Sequence, residues 1–228
     1  MALPVLETPT YELNLPSTNQ KVSYRPFLVK EHKVLMTLSK SSNDEIYRTV
    51  NDLIESCTFG KIDKEKLSSF DTEYVFLNIR SRSIGEKVKI KLVCNKCQDE
   101  LPTEIDLSKL EIERENVDHE IKLRNDTSMK LRFPKFYEKM NIVEGDENDI
   151  MERVADCIVS VKTKDDFFDK FTKEEALEFL LQLTTEEFNQ VEDFFGKMPK
   201  VVLNTQAECP KCNVTSKVKL QGLTDFFL

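Results

Sequence analysis

Two Cys-x-x-Cys pairs constrain this chain more than any other feature in it. Cys94-Asn95-Lys96-Cys97 and Cys209-Pro210-Lys211-Cys212 are separated by 111 residues and hold four of the six cysteines. Each pair interrupts a stretch that reads as a β-hairpin. Zn²⁺ takes four soft ligands in a tetrahedron, and two such turns supply two thiolates each at the right bite. If both pairs hold one metal, distant parts of the chain must meet, whatever lies between them.

Four thiolates fill a tetrahedral site and leave no position for water or substrate, which favours a structural zinc over a catalytic one. Cys94, Cys97, Cys209 and Cys212 are therefore the expected ligands of one structural Zn²⁺ per chain. Lys96 and Lys211, inside the turns, are placed to lower the thiol pKa and offset the charge of the site. An iron–sulfur cluster uses the same ligand set, and two separate redox dithiols are the remaining reading. Strands before and after each pair favour the shared zinc. Cys57 and Cys157 fall on apolar helical stripes and read as small buried hydrophobes.

The 228 residues are 39% hydrophobic and 32% charged, enough for a sizeable core. No apolar window is long enough for a transmembrane helix, and the N-terminus has neither the basic start nor the apolar run of a signal peptide. Cys-x-x-Cys thiols in such a chain point to metal or redox use and to a cytosolic compartment. The charge is uneven. Residues 141–195 carry sixteen acidic and five basic side chains, a balance of −11 against −8 for the whole chain. That acidity opposes binding to a polyanion and suits either a protein partner or a solvated face.

Local patterns place the elements. Tyr11, Leu13 and Leu15 alternate before a turn at residues 16–20, and Val22, Tyr24 and Phe27 follow, which predicts an N-terminal β-hairpin. A helix over 30–39 is expected to turn Val34, Leu35 and Leu38 inward. A second helix starts after Ser42-Asn43 with the stripe Ile46, Val50, Leu53, Ile54 and Cys57. Leu67 and Phe70 mark a short helix. Residues 73–80 read as a buried helix, although their β-branched and aromatic content also suits a strand; Gly85 then punctuates the chain. The cleanest strand is 87–93, apolar on one face and lysine on the other, with a return strand over 101–107. Ile121 and Leu123 pair with Met129, Leu131 and Phe133 around Asn125-Asp126. Helices are expected near 147–162, 172–183 and 185–196, with capping boxes at Thr172/Glu175 and Thr184/Glu187 and a stop at Gly196 and Pro199. Strands return over 201–207 and 214–220, so the two cysteine hairpins echo one another as a local repeat.

The expected fold class is α+β: a helical body with a zinc-ribbon-like β-unit formed from the two separated hairpins, plus the N-terminal hairpin. The organisation reads as 1–86, hairpin plus helices; 87–140, first knuckle and a further hairpin; 141–199, acidic helices; and 200–228, second knuckle and apolar end. The shared metal would close these into one compact unit. Enzyme signatures are missing: five glycines leave no phosphate loop, His32 and His119 have no motif around them, and no nucleophile elbow occurs. Lys87, Lys89, Lys91, Lys217 and Lys219 form a basic face, the basis of an alternative reading as a zinc-ribbon nucleic-acid-binding regulator. The plainer reading is that they guard an exposed sheet face. Phe167-Phe168 and Phe194-Phe195 read as core pairs on helices, whereas Phe226-Phe227 suits internal docking or a partner.

Several short segments together resemble one family. They are Leu15-Pro16-Ser17, Tyr24-Arg25-Pro26-Phe27 running into Lys30-Glu31 and Leu35, Leu77-Asn78-Ile79-Arg80 with Ser83-Ile84-Gly85, the first cysteine hairpin, and the closing Gly222-Leu223 with Phe226-Phe227. The chain resembles the baseplate hub assembly proteins of T-even-type (T4-like) bacteriophages. The resemblance implies a non-enzymatic protein that acts in the host cell cytoplasm, or in the virion tail baseplate, by binding other tail baseplate hub proteins. It supplies no catalytic residues and leaves the oligomeric state open; hydropathy argues against a membrane partner and the net acidity against nucleic acid.

Overall fold

The computed structural model describes residues 6–37, 42–136, 138 and 147–223. The chain divides into two compact units: residues 1–113 with 200–228, and residues 114–199 inserted between them. Residues 87–140 and their two hairpins are thus shared between the units.

In the first unit, β1 (Tyr11–Asn14) and β2 (Lys21–Tyr24) form the N-terminal hairpin. Helix α1 (Val29–Thr37) follows, then α2 (Asn43–Cys57), capped by Ser42 in a box with Glu45. The expected α2 stripe is the buried one, with Val50, Leu53, Ile54 and Cys57 all inside. Helix α1 differs from expectation. Val34 is exposed, Leu35 is half-buried, Leu38 lies outside the described residues, and the buried side chain is Glu31. The cause is Arg25, whose guanidinium reaches Glu31 at 2.9 Å and draws that face inward.

Helix α3 (Ser69–Ile84) includes Phe70, so the short helix expected there is the first turn of a longer one. Phe70, Val75, Phe76, Leu77 and Ile79 are all buried, as suits a helix surrounded by its unit. Gly85 closes it at φ +112°, a backbone conformation open to glycine. Strands β3 (Lys87–Val93) and β4 (Glu100–Asp106) then pair from Lys87↔Asp106 to Val93↔Glu100. The short β5 (Glu111–Glu113), not expected from the sequence, pairs with the start of β10 (Lys200–Glu208), whose other edge carries β11 (Thr215–Gln221).

The second unit begins with β6 (Glu120–Lys122) and β7 (Ser128–Leu131), joined through Asn125 and Asp126, both at positive φ. Helix α4 (Glu147–Cys157) is shorter than the expected 147–162, because Ile158–Lys162 forms strand β8 beside β7. Three of those five residues are β-branched or apolar at χ1-restricted positions, which favours a strand once an open edge is available. Phe167–Phe168 is a two-residue edge strand, β9, and both rings are exposed rather than packed on a helix. Helices α5 (Lys173–Leu180) and α6 (Thr185–Gly196) begin at the two expected capping boxes, and α6 is capped at its end by Lys197. Phe194 is buried and Phe195 half-buried, while Phe226-Phe227 lies outside the described residues. No described helix is long and apolar enough to cross a membrane.

Candidate metal centre

Each cysteine pair sits in the same backbone turn. The Cys94 amide donates to the Asp99 carbonyl (2.9 Å) and its carbonyl accepts from the Gln98 amide (2.9 Å). Cys209 does the same with Val214 (3.0 Å) and Asn213 (2.9 Å). Gln98 and Asn213 hold the corresponding left-handed positions, at φ 59° and 54°. A turn closed this way points two sulfurs out of one side of the loop. The strands flanking each turn set where those sulfurs go.

The four sulfurs converge. Cys94 and Cys212 are 3.7 Å apart, Cys97 and Cys209 3.5 Å, and all four lie within 4.8 Å of one another. Zinc–sulfur bonds of about 2.3 Å in a tetrahedron require sulfurs about 3.8 Å apart. The cluster is therefore close to the dimensions that one thiolate-bound metal ion needs. Cys94 and Cys209 are buried, Cys97 and Cys212 partly so, and Leu101 and Ala207 complete the small apolar cluster around them. The two hairpins belong to separate sheets, and they meet at this cluster.

The electrostatics favour a cation at the centre. Amide N–H groups of Cys97 and Lys96 point at the Cys94 sulfur and lower its pKa to about 6. The Asp99 amide pulls Cys97 the same way, but burial and the sulfurs of Cys209, Cys94 and Cys212 outweigh it and push Cys97 up to about 12. Cys212 is raised too: the Val214 amide lowers it, and burial with the Cys209 and Cys94 sulfurs prevails. One thiolate is thus easily formed in the cluster, and its neighbours then resist ionising. A divalent ion reverses that balance, because it binds the deprotonated form of every ligand.

Backbone amides, rather than the lysines in the turns, do most to stabilise the first thiolate. Lys211 instead reaches Asp99 on the other hairpin at 3.3 Å, and that carboxylate raises the lysine's pKa. Nothing in the local pattern marked Asp99 as a partner; only its place two residues after Cys97 hints at it. Cys57 and Cys157 lie apart from the cluster, and burial pushes their thiols up to about 11 and about 12, as suits packing groups. Lys87, Lys89, Lys91, Lys217 and Lys219 are all exposed. Three of them are paired with carboxylates: Lys87 with Glu104, Lys91 with Glu100, and Lys219 with Glu113.

The segments that carried the family resemblance also meet. Ser17 donates its amide to Asp71, Arg25 clasps Glu31, and the Phe27 amide donates to Ser83 at 2.7 Å. They act as joints of the first unit. Comparison with curated proteins and with solved structures gave no significant match. The family model described as "T4 bacteriophage base plate protein" matches residues 8–228, and the chain belongs to that family.

Proposed function

We propose that this protein is a non-enzymatic assembly component of the phage tail baseplate hub, acting by binding other hub proteins, with a structural zinc at Cys94, Cys97, Cys209 and Cys212. The family match over residues 8–228 carries the baseplate part of this reading. The sulfur spacing supports the metal, and a site already holding four protein ligands has no coordination position left for chemistry. In this role the metal joins two hairpins into a zinc-ribbon-like end. The acidic 141–195 segment and the apolar residues at the surface are then the contact regions for partner proteins. Carboxylates beside Lys87, Lys91 and Lys219 offset part of the positive charge on the knuckle strands, which favours a protein partner over a nucleic acid. The site of action is the host cytoplasm during assembly, and the tail baseplate if the protein stays in the particle.

Affinity purification from infected cells, with metal content measured on the same sample, tests both parts. Hub proteins should co-purify, with one zinc per chain. Normal hubs in particles made without the gene would overturn the assembly role. Iron in place of zinc would overturn the metal assignment.

A further inference from the structure

The joints of the first unit have counterparts in the second, most of them with the same atoms. Arg25 directly follows β2, and its amide donates to the carbonyl of Cys57, the last residue of α2, at 2.9 Å. Its guanidinium bonds the Pro26 carbonyl and forks onto Glu31 six residues on, with Nη2 on Oε1 and Nη1 on Oε2. Glu31 Oε2 also accepts the Leu28 amide. Arg132 directly follows β7, and its amide donates to the carbonyl of Cys157, the last residue of α4, again at 2.9 Å. Its guanidinium bonds the Phe133 carbonyl and forks onto Glu138 six residues on, with the same pairing of nitrogens and oxygens. Glu138 Oε2 accepts the Lys135 amide. Both guanidinium groups further reach the residue before the cysteine, at the Ser56 hydroxyl or the Asp156 carbonyl.

The correspondence runs on along the chain. Helix α3 is capped by Ser68, which accepts the Asp71 amide, and Asp71 in turn accepts the Ser17 amide from the β1–β2 turn at 2.9 Å. Helix α6 is capped by Thr184, which accepts the Glu187 amide, and Glu187 accepts the Arg124 amide from the β6–β7 turn at 2.8 Å. After each capped helix a strand leads straight into a Cys-x-x-Cys turn, β3 into Cys94 and β10 into Cys209. An Arg–Glu clasp could recur by chance. The same clasp, helix-end cysteine, hairpin-to-cap bond and knuckle in the same order could not readily do so.

We infer that the chain is a tandem duplication, in which residues 11–106 and 119–221 are two copies of one hairpin–helix–knuckle module, and that the metal centre is a joint built from one half-site of each copy. The sulfur contacts have the symmetry this requires. Exchanging the copies turns Cys94···Cys212 into Cys209···Cys97, which is the other observed contact. The buried and partly buried cysteines exchange in the same way. That is the isologous pattern of a two-fold dimer interface, here within one chain. The copies differ between clasp and cysteine, with Glu31 to Cys57 longer than Glu138 to Cys157, and differ more between cysteine-ended helix and capped helix. Residues 58–67 suffice in the first, whereas 158–183 in the second add β8, β9 and α5. The metal half of the inference rests on the four-cysteine reading proposed above.

An isologous half-site is complementary to itself, which gives the test. Full-length C94S/C97S and C209S/C212S should each bind Co²⁺ or Zn²⁺ at one ion per two chains. Each should self-associate only with metal present and show the thiolate charge-transfer absorption of a four-sulfur site, while the unaltered chain binds one ion per chain. Variants that stay metal-free, beside an unaltered chain that loads fully, would overturn the half-site claim alone. An unaltered chain that takes up no metal would overturn both it and the four-cysteine reading. A second measurement covers misfolding of the variants. In an experimental structure of the intact chain, β1, β2, α2 and α3 should superpose on β6, β7, α4 and α6, joint by joint. Capped helices lying on opposite sides of their hairpins would overturn the duplication.

Discussion

The knuckle end of the first unit and the inserted second unit bury apolar surface in different ways. Around the cysteines the described apolar cluster has four buried members, Cys94, Leu101, Ala207 and Cys209, on strands that also carry exposed charged side chains. The second unit instead has a continuous core, in which Ile121, Met129 and Leu131 meet Val154, Leu180, Val191 and Phe194. The β3–β4 pair is a two-stranded sheet, marginal alone in water, and β10 gains β5 only at its far end. The proposed metal would therefore have more to hold at the knuckles than in the second unit, where packing suffices. Charge follows the same division: the acidic 141–195 segment lies in the self-sufficient unit.

Metal removal should break this comparison open most widely. Chelation should raise amide exchange around the knuckle turns, over 91–101 and 206–217, while 119–131 and 147–196 keep their protection. Hydrogen-exchange mass spectrometry reads both at once, and equal loosening everywhere would mean that the second unit depends on the metal too. Reloading should release protons from Cys97 and Cys212, the thiols held protonated in the free cluster. Titration of the stripped protein with Zn²⁺ in weak buffer measures that release.

Phe194→Ala is the reciprocal experiment. Phe194 is 3% exposed, stacks on Phe133 with centroids 4.9 Å apart and meets His119 edge-on at 5.3 Å. Truncating a buried phenylalanine costs about 4 kcal/mol. The loss should appear in the exchange of 119–196, with metal content unchanged.

How far these regions could be read from sequence follows from the range of the interactions that build them. The knuckles were legible because ligand spacing is local, and so were the α5 and α6 starts, where Thr172/Glu175 and Thr184/Glu187 sit within one turn. Strand β8 was not. Ile158–Lys162 continues the apolar stripe of α4, and only the distant edge of β7 makes it a strand. The Arg–Glu clasps were missed for a similar reason: Arg25 lies just past a strand and Glu31 in the helix after the next loop, so no single element's period relates them. Glu31 was hidden for the same cause, since α1 has no conventional apolar face.

Arg25→Ala should rank below the core deletion. It leaves the Glu31 carboxylate buried with its main cation removed, and loss of one partner of such a pair costs about 3 kcal/mol. Acid should act on the same joint. Burial tends to raise the Glu31 pKa, but the Arg25, Leu28 and Ser56 hydrogen bonds prevail and hold it below the ordinary value of 4.5. The stabilisation is therefore present above the unfolded pKa and is lost as pH falls through the lower folded value. In Glu31→Gln that part of the acid sensitivity of residues 11–84 should disappear; an unchanged acid profile would exclude Glu31 as its source.

Thr184→Ala should have the smallest effect, and it separates the units most finely. Removing the hydroxyl leaves the Glu187 amide without its cap acceptor at the start of α6, a loss of about 1 kcal/mol for a helix N-cap. Ser68→Ala removes the matching acceptor from the Asp71 amide. Helix α3, however, is buried along much of its length, whereas α6 buries Glu187, Val191 and Phe194 and exposes much of its remaining surface. Because α6 rests more on its ends, Thr184→Ala should loosen the whole helix in exchange measurements, while Ser68→Ala should loosen only the first turn of α3. Equal spread of the two effects would show that burial does not anchor α3 in this way.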